Sequence, residues 1–414
     1  SNERTAHITV IHISAKNSIE DLNNSVNQIN DTKNIVFVLV TGDITETGDR
    51  KSLEIAKSIL DRLTVKYYAI PGNHETKWSP SGCTDFGRVF GSERFRFEHK
   101  GVSFLGFNTG PIMRMADGHV ASQDIEWLKS LTRSIPKDEP MIIATHYPLQ
   151  YGDVDNWYEV TDVVRSNNVR LFVGGHYHRN AIFSYDGIPG LINRSNLRAK
   201  EPVGGYTLYD ISPDSIKVFE QTIGGEPKMW AALSMTEKYF EEQGSSTKYP
   251  DMSVNKAYAN VNEKWLIKNG ASIYSSPVVW RGRVYVADDL GMLHCISLKT
   301  GKHLWKFASA NRILSTPAVA DGVVVFGSSD MSIYGVNALS GKMIWQTTTS
   351  APVLGAVSIE SGVAYIGGSD SCFRAIDIQS GKTKWTFCGL KNYVETKPLI
   401  LANQVIFGAW DNYL

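Results

Sequence analysis

A 40-residue repeat in the second half of the chain restricts its fold more than any other feature of the sequence. Each unit carries a tryptophan at the same place, and a Gly-Lys pair lies four residues before the later ones: Trp265, Trp305, Trp345 and Trp385, with Gly301, Gly341 and Gly381. β-Rich units of this length, punctuated by glycine, are typical of propeller blades, each a sheet of four strands. The sequence therefore predicts all-β propeller blades over residues 253–414, with the repeated tryptophan in a packing role.

The last unit of the repeat stops at Leu414, before it reaches a tryptophan of its own. A blade cut in mid-course exposes unpaired strand edges, which native proteins avoid. We therefore expect about four blades, the last one incomplete, in a fragment of a larger propeller.

The first half of the chain alternates short apolar runs with longer amphipathic ones. Residues 8–13 and 35–40 predict buried strands, and residues 51–63 place their apolar side chains on one helical face. This alternation indicates an α/β domain of packed layers over residues 1–225. A chain of 414 residues is long enough for this domain and the blades together.

Residues 226–252 differ in character from both halves. Residues 230–242 have a helical composition, and residues 243–247 are small and polar. We expect a docked helix followed by a linker.

Charge and hydropathy exclude several classes of partner. Lys plus Arg and Asp plus Glu both number 42, so no net field steers the chain towards nucleic acid or acidic membranes. The apolar runs are far shorter than the roughly 20 residues that span a bilayer. The sequence begins at Ser1 without a signal segment, and we expect an N-terminus that has been processed or trimmed.

The four cysteines show neither C-x-x-C spacing nor the density of a disulfide framework: Cys83, Cys295, Cys372 and Cys388. Ordinary free thiols are the favoured interpretation. A bridge between Cys372 and Cys388 is the alternative.

Polar residues that can bind metal or carry protons follow several apolar runs of the first half, and they are Asp43, Asn73, His74, His146, His176 and His178. Loops at the carboxyl ends of strands are where α/β proteins place their chemistry. Phosphate ester hydrolysis with two adjacent metal ions requires a bridging carboxylate flanked by nitrogen and oxygen ligands, a donor set that suits Zn, Mn and Fe. Asp43 can bridge, and His74 is left over as a proton donor to the leaving oxygen.

This ordered set resembles the calcineurin-like metallophosphoesterase superfamily, whose signature runs Asp-x-His, Gly-Asp, Gly-Asn-His-Asp/Glu, His and Gly-His-x-His. Residues 40–45 and 69–75, with Gly118-His119, are similar to the branch that contains cyclic-nucleotide phosphodiesterases. The resemblance implies a β-sandwich flanked by helices, with His74 as the catalytic acid. It also implies two metal positions that share Asp43.

The resemblance assigns ligands to each of these positions. One ion would be held by Asp43, Asn73, His146 and His176, and the other by the Asp-x-His pair with Asp43 and His178.

The chain departs from the signature at the Asp-x-His pair, which we align with Ala15-Lys16-Asn17. Ala15 has no donor atom, and Asn17 offers a neutral amide in place of an imidazole. The first position would then keep Asp43, His178 and Asn17. We expect one divalent transition metal (Mn, Zn or Fe) at the complete position and a degenerate first position.

The repeat resembles the pyrroloquinoline-quinone-like β-propeller repeat, through Gly282-Arg283-Val284-Tyr285-Val286 and Thr300-Gly301-Lys302-His303-Leu304-Trp305. The resemblance implies blade architecture without implying a bound quinone. Repeats of this type are found mostly outside the cytoplasm, so we expect a periplasmic or otherwise extracytoplasmic location.

Three functional hypotheses follow. The leading one is a metal-dependent phosphoesterase that hydrolyses a phosphorylated small molecule or a phosphodiester by metal-activated water. The second is a weak or inactive pseudo-phosphoesterase that binds a phosphorylated ligand. The third is a scaffold that binds a protein partner through the propeller.

Overall fold

The computed structural model describes residues 3–113, 115–237, 249–258 and 260–414. The chain divides into two compact units, of which the first comprises Ser1–Ser79 and Asp85–Asp251 and the second Pro80–Thr84 and Met252–Leu414. The division at residue 252 lies next to the predicted start of the propeller region. The first unit continues past the predicted limit at residue 225.

The described part of the first unit contains strands and helices in alternation. The strands are β1 (Arg4–Ile8), β2 (Ile35–Thr41), β3 (Lys66–Ile70), β4 (Phe95–His99), β5 (Val102–Gly106), β6 (Pro140–Ala144), β7 (Asn168–Gly174), β8 (Ala181–Tyr185), β9 (Ile188–Ile192), β10 (Gly205–Ile211), β11 (Ser215–Thr222) and β12 (Lys228–Ser234). The helices are α1 (Ser18–Asp31), α2 (Arg50–Leu60), α3 (Asn73–Thr76), α4 (Thr84–Phe90, whose first residue is assigned to the second unit), α5 (Ser122–Ser134) and α6 (Trp157–Val164).

The strands form two six-stranded sheets, with orders β12-β11-β10-β1-β2-β3 and β4-β5-β6-β7-β9-β8. Buried apolar side chains from both sheets, such as Leu39 on β2 and Leu171 on β7, pack into one core. The other face of the second sheet packs against α5 and α6. The predicted fold class, a β-sandwich flanked by helices, is confirmed. Strands β1, β2 and β3 run parallel in one sheet, as do β5, β6 and β7 in the other, so the loops after each group leave from one end.

Two predicted elements are wrong. The strand predicted over residues 8–13 ends at Ile8, because Val10, His12 and Ser14 have positive φ values that an extended strand does not allow. The helix predicted over residues 230–242 is replaced up to Ser234 by β12, which pairs along β11 at the edge of the sheet. Pairing with a neighbouring strand here outweighs a helical composition. Residues 238–248, which include the predicted polar linker, lie outside the described residues.

The second unit is all β after a short 3₁₀ helix at Ser253–Ala257. Its strands are β13 (Val278–Trp280), β14 (Arg283–Ala287), β15 (Met292–Ser297), β16 (His303–Ala308), β17 (Ala318–Ala320), β18 (Val323–Ser328), β19 (Ser332–Asn337), β20 (Met343–Thr348), β21 (Ser358–Glu360), β22 (Val363–Gly367), β23 (Cys372–Asp377), β24 (Thr383–Cys388), β25 (Leu399–Leu401) and β26 (Gln404–Ile406). They form antiparallel sheets of four, four, four and two strands. The predicted propeller blades are confirmed.

The repeated tryptophans pack between successive units of the repeat. Nε1 of Trp305 donates a hydrogen bond to the carbonyl oxygen of Ala338 at 3.1 Å, and Nε1 of Trp345 does the same to Ile378 at 2.7 Å. A Cβ placed on Gly341, where φ is +74°, would lie 2.6 Å from the Trp305 ring. Glycine therefore recurs with tryptophan because the indole of one unit covers the turn of the next.

One pair of cysteines departs from the favoured interpretation. Cys372 and Cys388 form a disulfide between β23 and β24, where the two residues are direct neighbours across the strands. Cys83 and Cys295 are buried thiols that do not take part in the disulfide, as predicted. None of the helices in the described ranges has both the length and the apolar character needed to cross a bilayer.

Candidate metal centre

The loops that follow four strands bring the candidate ligands to one end of the sandwich. Asp43 follows β2, Asn73 opens α3 after β3, His146 follows β6, and His176 and His178 follow β7. Asp43, His176 and His178 have positive φ values of 48°, 67° and 57°. Such conformations cluster at functional sites because the surrounding structure must impose them.

Two glycines explain how the β2 and β3 loops come so close. Gly42 has a φ of +83°, and a Cβ on it would lie 2.4 Å from the backbone nitrogen of Gly72 and 2.8 Å from Nδ1 of His146. A Cβ on Gly72 would lie 2.3 Å from the backbone nitrogen of Asp43. The Gly-Asp and Gly-Asn-His motifs therefore need glycine because their backbones are in contact.

Donor atoms of four residues converge at the position predicted to be complete. Oδ1 of Asn73 lies 3.0 Å from Nε2 of His146 and 3.0 Å from Nδ1 of His176. Oδ2 of Asp43 lies 3.1 Å from the same Nε2 of His146, and both of these side chains are buried. This is a compact set of two oxygens and two nitrogens.

The tautomer of His146 tests whether these residues fit a metal ion. Nδ1 of His146 lies 2.7 Å from the carbonyl oxygen of Thr41, which can accept and cannot donate a hydrogen bond, so Nδ1 carries the proton. Nε2, the other ring nitrogen, faces Oδ2 of Asp43 and Oδ1 of Asn73. In the neutral ring Nε2 has a lone pair that can coordinate a cation, and without metal a proton on Nε2 compensates the buried carboxylate. The donor set fits a divalent ion such as Zn, Mn or Fe.

The pKa values of the site follow from burial and from this arrangement. Burial alone would raise the pKa of Asp43, but the charge and hydrogen bond of His146 outweigh it and hold the pKa below its usual value. Burial, reinforced by His146, lowers the pKa of His176 to about 3. The His176 ring is therefore neutral near pH 7, as a metal ligand must be.

A second group of donors involves a residue that the sequence analysis missed. One ligand atom from each of His12, Asp43 and His178 lies within 4.8 Å of the others. The side chain of Asn17, the predicted ligand, makes no hydrogen bond with a described residue, and Asn17 is the N-cap of α1. The structure therefore brings His12 to the first position, and the assignment of Asn17 to this position stays a prediction.

The Asp-x-His spacing then falls on Val10-Ile11-His12, with Val10 in the place of the carboxylate. Val10 is fully buried and has no donor atom. The apolar pattern hides this alignment, because it continues to residue 13 and places His12 inside the predicted first strand. The spacing itself was a usable signal, since His12 already supplied the imidazole.

His74 lies beside both positions. Its backbone nitrogen donates to Oδ1 of Asp43 at 3.0 Å, and Nδ1 of its ring lies 2.6 Å from the carbonyl oxygen of Glu46, to which it must donate. The next residue, Glu75, is buried and accepts hydrogen bonds from Thr45 and Gly72. Glu75 thereby ties the β2 and β3 loops together.

A cavity of about 650 Å³ adjoins His178. Its lining includes four cationic side chains, Arg179, Arg194, Arg198 and Lys200, and two carboxylates, Glu201 and Glu220. Arg194 pairs with Glu220, and Arg198 pairs with Asp21. Another cavity, of about 560 Å³, is lined by residues at the amino ends of β1, β2, β5 and β6 and contains none of the candidate ligands. We associate the chemistry with the first cavity, because it shares a lining residue with the candidate centre.

Comparisons with known proteins bear on both halves of the chain. Residues 3–180 match the calcineurin-like phosphoesterase family, and residues 252–387 match the family described as outer membrane protein assembly factor BamB. A 3′,5′-cyclic-nucleotide phosphodiesterase of Nostoc is 26% identical over 152 residues, which cover 34% of this chain and 56% of that protein. The uncharacterized protein YvnB of Bacillus subtilis is 30% identical over 165 residues, covering 35% of this chain and 13% of that protein.

Among solved structures, a dimetal phosphatase from Danio rerio aligns with a TM-score of 0.46 and 15% identity, over 56% of this chain and 99% of that one. The chain spans about half the length of the Nostoc relative and a smaller part of YvnB.

Proposed function

We propose that this chain, whose residues 3–180 form a calcineurin-like phosphoesterase domain, is a metal-dependent phosphoesterase that hydrolyses a phosphomonoester or a phosphodiester. The observation that carries the proposal is the convergence of buried donors: Oδ1 of Asn73 lies 3.0 Å from a ring nitrogen of both His146 and His176, and Oδ2 of Asp43 lies 3.1 Å from Nε2 of His146. Two oxygens and two nitrogens in this arrangement suit a divalent cation. The two positions share Asp43 and support a centre of two divalent ions. The first position, with His12 and His178, has fewer ligands than the other.

The residues of the centre have distinct tasks. Asn73, His146 and His176 would hold one ion with Asp43, and His12 and His178 would hold the other. A divalent ion, when bound, supplies Lewis acidity that activates water and stabilises negative charge on phosphoryl oxygens. Asp43, with a lowered pKa, stays ionised near pH 7 and serves both positions.

His74 is placed to give a proton to the leaving oxygen. The hydrogen bond from its backbone nitrogen to Asp43 keeps His74 at the centre, and its Nδ1–H donates to the backbone carbonyl oxygen of Glu46. The nitrogen that can face the leaving oxygen is therefore Nε2. General acid catalysis of this kind contributes about 10²- to 10⁴-fold.

The cavity next to His178 supports an anionic substrate. Arg179 follows His178 directly, and its guanidinium lies 5.9 Å from the centre of the Tyr177 ring. Tyr177 is itself fixed by hydrogen bonds to Asp153 of 2.6 and 2.8 Å. We propose that Arg179 and Lys200 in this cavity receive the part of the ester that extends away from the metal ions.

A pseudo-phosphoesterase is the second candidate, and Val10 is the observation that favours it. Valine at a carboxylate position removes one negative charge and one ligand from the first position. In this case the centre would bind a phosphorylated ligand with little turnover. The repeat region, which matches the BamB family, would then bind a protein partner.

Hydrolysis assays separate the two candidates. The chelator-treated protein is reloaded with Mn, Zn or Fe(II) and assayed with bis(p-nitrophenyl) phosphate and p-nitrophenyl phosphate. We expect turnover that falls at least about 100-fold in His146→Ala and is unchanged in His303→Ala, an exposed histidine of the second unit. Bound metal without turnover supports the pseudo-phosphoesterase. The absence of both bound metal and turnover would contradict both candidates.

We also propose an extracytoplasmic location, which the disulfide between Cys372 and Cys388 supports. Disulfides persist in oxidising compartments and are rare in the cytosol. Protein alkylated in intact cells should carry no label on either cysteine until it is reduced. Label on both before reduction would contradict the proposal.

A further inference from the structure

We propose that Glu46 is a positioning residue for the first metal position: its carboxylate orients the His12 ring and offsets part of the charge that Val10 does not supply. The inference rests on the proposed metal centre and does not require that the centre turns over substrate.

His12 is a buried histidine whose ring lacks partners. Its relative exposure is 5%, and neither ring nitrogen makes a hydrogen bond with a described residue. A buried polar group left without a hydrogen bond costs about 1–3 kcal/mol. Two buried ring nitrogens without hydrogen bonds destabilise the folded chain, and such a ring is retained where it binds a ligand.

The nearest anionic partner of Nδ1 is Glu46. Oε2 of Glu46 lies 3.0 Å from Nδ1 of His12, and the Glu46 side chain is 48% exposed and can rotate into alignment. The ligand atoms of His12, Glu46 and His74 all lie within 4.8 Å of one another. Once Nδ1–H donates to Glu46, Nε2 carries the lone pair and is the nitrogen available to a cation with Asp43 and His178.

The two positions therefore differ in what supports their histidines. Nδ1 of His146, at the complete position, donates to the neutral carbonyl of Thr41. Nδ1 of His12, at the position that lacks a carboxylate ligand, faces a full negative charge on Glu46. A carboxylate behind a metal-bound imidazole raises its basicity, and the loss of such a partner costs about 10- to 100-fold in metal affinity. The charged partner lies where the ligand set is weaker.

Manganese binding to the full chain tests the inference. Equilibrium dialysis with elemental analysis gives the affinity of the tighter and the weaker ion separately. We expect Glu46→Ala to weaken the weaker ion about 10- to 100-fold and to leave the tighter ion unchanged, with Glu46→Gln between the two because its amide oxygen still accepts a hydrogen bond. The matched control is Glu54→Gln, an exposed carboxylate on α2 that pairs with Arg50.

The tautomer of His12 provides a second measurement. In the zinc-loaded chain, nitrogen-15 labelling of histidine should show a proton on Nδ1 of His12 that Glu46→Ala shifts and exposes to exchange. A proton on Nε2 in the wild type would overturn the inference. So would an unchanged weaker ion in Glu46→Ala, an equal loss of both ions, or a wild type that binds one ion at most. Absence of phosphoesterase turnover would contradict the proposed function and leave these measurements unaffected.

Discussion

Val10 and His12, two residues apart in the segment after β1, both have a φ of 56°. Their segment is tied to the β2 loop by backbone hydrogen bonds: Val10 donates to Gly42 at 3.1 Å and His12 to Asp43 at 2.9 Å. A β-branched residue rarely adopts a positive φ, whereas Asp and Asn do so several times more often. The backbone of a ligand loop is therefore present at Val10 although the ligand is absent.

Val10→Asp should complete the first position. The carboxylate would add a ligand and a negative charge next to His12, so we expect the weaker ion to bind at least about tenfold more tightly. Without metal the new buried charge should lower the melting temperature, and metal should restore it. Elemental analysis and thermal unfolding, each with and without Mn²⁺, measure both effects.

The control for this prediction is the double change Ala15→Asp with Asn17→His, which places the same two groups at the positions first assigned from the sequence. It should leave the metal content unchanged, because His12 is the imidazole that lies next to Asp43 and His178. Metal gained by the double variant and not by Val10→Asp would restore the original alignment.

The motifs at the ends of strands could be predicted from the sequence because of where they lie in the fold. Asp43 and His146 each lie two residues after the end of a regular strand, so an apolar run ending in polar residues marks their place. His12 could not be predicted in this way, because β1 ends at Ile8 and the residues that follow alternate between positive and negative φ values before the chain reaches the centre. Backbone angles of this kind leave no signature in the apolar pattern.

Edge strands were hard to predict for a related reason. β12 has its exposed and buried residues set by its pairing with β11, and its composition alone favours a helix. The 40-residue repeat was easy to predict, because the same packing contact recurs in every unit and each copy of the motif strengthens the prediction.

Glu75→Ala should destabilise the first unit by about 3 kcal/mol. The buried carboxylate accepts three hydrogen bonds, from the backbone nitrogen and hydroxyl of Thr45 and from the nitrogen of Gly72, and the substitution leaves these donors unpaired. Glu98→Ala, at an exposed position on β4, should change stability by less than about 0.5 kcal/mol. Urea unfolding followed by circular dichroism compares the two. Equal stabilities would mean that Glu75 does not hold the loops together.

His7 should make the first unit less stable in acid. The ring is buried between Thr41, 2.7 Å from Nε2, and Asn193, which donates to Nδ1 at 2.7 Å. Burial, with a smaller effect of His146, lowers the pKa of His7 to about 3 from an unfolded value of 6.5. Between these values the unfolded chain binds more protons than the folded one. The stability that neutral His7 contributes is complete above pH 6.5 and is lost as the pH falls towards 3, by about 1.4 kcal/mol per pH unit.

His7→Gln removes this dependence, so the stability difference between wild type and variant should shrink as the pH falls below 6.5. Hydrogen exchange of the β1 and β2 amides in the full chain, with metal chelated, measures the difference at several pH values. A difference that stays constant down to pH 4 would show that His7 is protonated equally in both states.

The first unit should be stable when the chain is cut after residue 251 and markedly less stable when it is cut after residue 225. The shorter fragment lacks β12, which pairs with β11 from Ser215 to Glu220 and contributes the buried Ala231 to the core between the sheets. Without β12, β11 becomes an exposed edge, and an unpaired edge promotes association. The longer fragment also keeps Tyr249, whose ring lies 5.6 Å from that of Trp157 and whose hydroxyl donates to Asp162 at 3.0 Å.

We expect the 1–251 fragment to be monomeric on gel filtration with cooperative thermal unfolding, and the 1–225 fragment to aggregate or to melt at least about 10 °C lower. Equal melting temperatures for the two fragments would mean that β12 adds nothing to the fold, and the domain limit at residue 225 would stand.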